Sequence, residues 1–208
     1  MRALSTVLAA TISMWLFGCV RFPQMNLREP IYLVMHPSLF ANCQHIAGSG
    51  GQCQQYIANQ IQLAIWDWSR FFKLDHPLFV LAWSMDTIPA HATNSPVWIK
   101  VSLQVCGETV ADPVDACYIK KGYFADPEIV LTDIGNLRPS LIAHELGHVL
   151  VGNSHFSNSD MPSLMSDGSL VEQVQAVDVD WVCSKHPECL MRECLDVVWA
   201  NEASELEY

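Results

Sequence analysis

Positive charge is scarce in this chain of 208 residues. Eleven Lys and Arg stand against 22 Asp and Glu, a formal net charge of −11. No basic cluster or stripe is there to meet a phosphate backbone, so nucleic acid is not an expected partner. Beyond the N-terminus no apolar run is long enough to span a bilayer. Internal repeats are lacking, and so are long charged tracts. None of the eight cysteines lies in a CxxC pair, which argues against a zinc ribbon. There is no Asn-x-Ser/Thr sequon, as fits a bacterial source. What the chain does have is apolar content: half of it is hydrophobic, which points to a globular fold with a real core, either one domain or one domain in two lobes.

The first 18 residues read as an export signal. Arg2 gives a positive start, "ALSTVLAATISMWLF" is apolar or small without a charge, and small Gly18 precedes Cys19. "LFGC" resembles the lipobox of bacterial lipoproteins, which implies Cys19 as a lipidated first residue, with plain secretion as the alternative. Phe17 is bulkier than that pattern favours. Without residues 1–18, ten basic residues face 22 acidic ones, a net charge of −12. Membrane association is expected only through this lipid anchor. The acidic end "NEASELEY" reads as a solvated tail.

In an exported chain the cysteines read first as disulfides. Cys43–Cys53 would close a loop containing "GSGG", and Cys106–Cys117 a loop between two strand-like runs. Cys183, Cys189 and Cys194 crowd one short stretch. The spacing leaves the connectivity open.

Strands are expected at 30–37, 78–85, 97–105, 117–124 and 128–134, where Val, Ile, Leu and aromatics gather between turn signals. The two lysines of 117–124 suit an edge strand. Ile57, Ile61, Ile65, Trp68 and Phe72 recur every three or four residues, which predicts an amphipathic helix over 54–74. A second helix is expected over 138–151, with Pro139 in its first turn and Gly152 just past its end. A third is expected over 169–182.

The chemistry gathers in "HELGHVLVGNSHF", His144 to Phe156. Four residues is about one helical turn, so His144 and His148 leave one face and can share a metal ion. Glu145 is turned about 100° away. It need not ligate, yet it can reach a metal-bound water and take its proton. A catalytic zinc site wants three protein ligands and an open position, and His155 follows the turn that Gly152 permits.

His144, Glu145, His148, Gly152 and His155, with Met165 in "SLMS", resemble the metzincin zinc peptidases of the serralysin and matrixin branches. That resemblance implies a mixed α/β (α+β) fold. A twisted sheet with an active-site helix and a second helix forms an upper lobe, 19–152. A small irregular disulfide-tied lower lobe with one helix, 153–208, follows it. It also implies zinc held by His144, His148 and His155, Glu145 as general base, Met165 as a packing methionine beneath the ligands, and protein or peptide substrates. One departure stands out: four residues separate His148 from Gly152 where the family has three. Either the helix unwinds early, or the loop bulges at Val151–Asn153.

Two alternatives remain. A gluzincin-like site would take Glu172, on the third helix, as its third ligand. A surface lipoprotein could hold zinc without catalysis, though it would have no need of Glu145. Asp133 is a candidate carboxylate behind a ligand histidine, with a strand-end turn as its default role. His36, His45, His76, His91 and His186 lack ligand spacing, and neither Tyr118 nor Tyr123 is assigned an oxyanion role. Residues 20–29 are too few for a pro-domain, so an enzyme exported without a zymogen segment is expected.

Overall fold

The computed structural model describes residues 25–41, 43, 50–102, 115–120, 125–157, 161–166 and 171–186. The export signal, Cys19, His45, Cys106, Tyr123, Cys189 and Cys194 lie outside these residues. The elements in chain order are β1 (Ile31–Met35), α1 (Gly50–Ser69), β2 (Phe79–Ala82), β3 (Val97–Val101), β4 (Ala116–Ile119), β5 (Glu128–Leu131), α2 (Pro139–Val151) and α3 (Ala176–Lys185), with three short 3-10 turns. The fold class is mixed α/β, as expected.

The five strands form one sheet in the order β2-β1-β3-β5-β4. All neighbours are parallel except β4, which runs antiparallel to β5. Parallel neighbours need crossovers, and α1 supplies the one between β1 and β2. Register places Leu33 beside Val97, and Ile99 beside Ile129, which lies opposite Tyr118. That face is buried against α1 and α2. Ile57, Ile61, Ile65, Trp68 and Phe72 enter the same core as Ile142, Leu146, Val149 and Leu150. Among the described residues β4 ends the sheet, as expected of an edge strand, although it stops at Ile119, before Lys120, and the remainder of the expected strand to 124 lies outside the described residues.

Helix boundaries differ from expectation. α1 begins four residues before Gln54. Its buried stripe includes Cys53, four residues before Ile57 and joined to Cys43 by the expected disulfide. It ends at Ser69, because Phe71 and Phe72 bond to carbonyls three residues back, a tightened last turn that keeps the helical phase. Cys117 is also disulfide-bonded. The third helix starts at Ala176, not 169. A capping box of Gln175 and Asp178 fixes that start. Just before it, the Val174 backbone is clamped to α1: its N–H bonds to Asp67 Oδ2 at 2.7 Å, and its carbonyl accepts from Arg70 Nη2 at 3.1 Å. No helix of the described residues is long and apolar enough to cross a membrane.

Candidate metal centre

α2 carries His144 and His148 one turn apart. Arg138 precedes it in extended backbone and Pro139 opens it. The helix runs through Val151, and Gly152 N–H still bonds to the His148 carbonyl, at 2.8 Å. Gly152 then takes φ 80°, a conformation that L side chains rarely adopt. The carbonyl of Gly152 accepts from Ser154 N at 2.8 Å, and this tight turn brings His155 back over the helix. The helix does not unwind early, contrary to one of the two expectations: it continues to Val151, and the chain turns at Gly152.

Three imidazoles converge. Ring centroids are 4.8 Å apart for His144–His148, 5.4 Å for His144–His155 and 4.8 Å for His148–His155. Their ligand atoms all lie within 4.8 Å of one another, so the group can hold a metal ion. His144 Nδ1 donates to the Leu164 carbonyl at 2.7 Å, and His148 Nδ1 to the Gly152 carbonyl at 2.9 Å. A carbonyl can only accept, so both Nδ1 atoms carry the proton. The two Nε2 atoms face each other 3.2 Å apart. Tetrahedral zinc with Zn–N of about 2.0–2.1 Å sets such nitrogens about 3.3 Å apart, so the donor set fits the ion.

Glu145 is 3% exposed, and its Oε2 is buried without a hydrogen-bond partner. Burial pushes its pKa up to about 8, with the nearby Tyr118 backbone N–H pulling weakly the other way. Tyr118 also stacks its ring on His148, centroids 6.5 Å apart and planes 18° from parallel. Burial raises the phenol pKa to about 12, so the hydroxyl keeps its proton at neutral pH.

Met165 is fully buried, its sulfur packed against Gly147 of α2. Its turn is held by Asp178 of α3. One Asp178 oxygen accepts from Ser163 Oγ and from Met165 N at 3.2 Å, and the other from Leu164 N at 3.1 Å and Gln175 N at 2.8 Å. Phe156 N–H bonds to the Met165 carbonyl at 2.8 Å, tying the turn to the loop that bears His155. Trp68 Nε1 bonds to the Ala143 carbonyl at 2.7 Å, joining α1 to the helix one residue before His144.

Glu172 is exposed, precedes α3, and is not part of the histidine group, so the third-helix placement on which the gluzincin alternative relied is corrected. Asp133 accepts from Gly135 N at 2.8 Å and caps a 3-10 turn, its default role. His36 caps the turn after β1, and buried His186 bonds to the Leu150 carbonyl at 2.7 Å. Sequence reasoning missed Asp178, for which a signal existed, since Gln175 and Asp178 have capping-box spacing. No protein-family model and no curated protein matches the sequence.

Proposed function

We propose that the chain is an exported zinc-dependent endopeptidase of the metzincin type. The observation that carries the reading is the pairing of three convergent imidazoles with a buried glutamate, Glu145, which sits next to a ligand but is not one of the group. A structural metal site has no use for such a carboxylate, which makes the non-catalytic lipoprotein the weaker reading. Three imidazoles suit several first-row metals. The glutamate poised for a water favours zinc among them.

His144, His148 and His155 would hold the ion. A zinc ion bound there supplies a water of lowered pKa and polarises the scissile carbonyl. Glu145 takes the proton of the attacking water and passes it to the departing amine nitrogen. The outer edge of β4 offers backbone groups to an extended peptide, which would bind by strand addition. The disulfides agree with an oxidising compartment, and the lipidation of Cys19 is part of the same proposal.

Turnover of denatured casein or gelatin, with and without a chelator, tests the reading. Hydrolysis that stops on chelation and returns with zinc supports it. Hydrolysis that is indifferent to chelation contradicts it.

A further inference from the structure

An α-helix leaves its last carbonyls without a partner unless something beyond the helix supplies one. In continued helix the Ser154 N–H would bond to the Leu150 carbonyl. It bonds instead to the Gly152 carbonyl, at 2.8 Å, inside the turn that leads to His155. Leu150 is fully buried, and its carbonyl accepts from His186 Nε2 at 2.7 Å. A carbonyl only accepts, so that nitrogen carries the proton. The donor lies 36 residues further along the chain, just past the end of α3.

The two arrangements put His155 in different places. Seven residues of helix rise about 10 Å, so continued helix would carry His155 two turns beyond His148, out of reach of a shared ion. The turn keeps the two ring centroids 4.8 Å apart. We infer that His186 is the positioning residue for this turn: by occupying the Leu150 carbonyl it removes the acceptor on which the helix would continue, and so commits His155 to the metal centre. The other end of α3 acts on another ligand. Asp178 accepts from Leu164 N at 3.1 Å, and the Leu164 carbonyl accepts from His144 Nδ1 at 2.7 Å. One helix thus steadies a ligand from each of its ends, and metal affinity depends on a histidine outside the ligand motif. The inference rests on the zinc reading of the histidine group.

The test measures zinc affinity by chelator competition on the full chain, with the visible absorption of bound Co2+ as a readout of coordination. His186→Leu removes the donor and should lower zinc affinity at least tenfold and alter the Co2+ spectrum. His186→Gln, whose amide nitrogen can stand in for Nε2, should stay within about threefold of the wild type. Ile31→Ala, a core truncation in β1, should leave affinity and spectrum unchanged, so that lost stability alone does not imitate the effect. In a His155→Ala background, His186→Leu should cost no further affinity, because the residue through which it acts is gone. If His186→Leu does not fold, His186→Asn takes its place, since the shorter amide does not reach the Leu150 carbonyl. Unchanged affinity without the donor, an equal loss in His186→Gln, or the full loss in the His155→Ala background would overturn the inference. A wild-type chain that binds no zinc would overturn the zinc reading as well, so the two failures are distinguishable.

Discussion

Met165 Sδ occupies the space that a β-carbon on Gly147 would need. Trp68 Cζ2 closes in on the same point from α1, 3.0 Å from it. The helix that carries His144 and His148 is thus seated on a methionine and a tryptophan that only a glycine between them allows. Gly147→Ala should destabilise the fold by about 1–3 kcal/mol through overpacking and lower metal affinity with it. Gly51→Ala, on α1 with open space around it, should cost nothing. Denaturant midpoints of the two variants make the comparison, and equal midpoints would show that the close approach is not a constraint.

Asp178 gathers four donors from the methionine turn and the start of α3. Asp178→Ala should cost roughly 3 kcal/mol or more, since buried backbone N–H groups lose a charged acceptor. It should also loosen His144, whose Nδ1 is held by Leu164 in that turn. Asp180→Ala, exposed on the same helix, is the control. Unfolding and zinc titration are the measurements, and a stable Asp178→Ala with unchanged zinc affinity would refute the role.

Burial of Glu145 has a stability consequence in metal-free protein. Its folded pKa, about 8, lies above the ordinary 4.5, so the folded state binds the proton more tightly. Stability therefore falls as pH rises from about 4.5 toward 8. Glu145→Gln should stabilise chelated protein by a few kcal/mol above pH 8 and have little effect near pH 4. Thermal unfolding of both proteins across this range reads the difference. A difference that does not vary with pH would mean that the carboxylate is not buried as described.

His155→Ala should lower zinc affinity sharply, while Glu172→Ala should leave it nearly unchanged. His155 belongs to the convergent group, and Glu172 is exposed ahead of α3. Zinc content after dialysis compares the two, and loss of metal from Glu172→Ala alone would reverse the assignment.

The ligand helix was legible because four residues nearly close one turn, and because Pro139 and Gly152 mark its ends. The third helix was misread at its start. Val171 and Val174 continue an apolar pattern, but Val174 is buried by its clamp to Asp67 and Arg70, a contact 107 residues away in sequence for its N–H. Strand order was illegible for the same reason: pairing of β1 with β3, or of β3 with β5, depends on separations that no local pattern encodes. The departure at Gly152 could be seen in the sequence. The helix end at Val151 with Gly152 just beyond was legible too, but the return of His155 over the helix was not, because it depends on how the chain turns after that glycine.

The central claim is that Glu145 moves a proton beside a metal held by three histidines. Casein turnover and zinc content, measured together on wild type and Glu145→Gln, test it most directly. The account predicts one zinc in each protein and turnover in the variant lower by about 10²–10⁴-fold. A zinc-loaded variant that cleaves at the wild-type rate would contradict it.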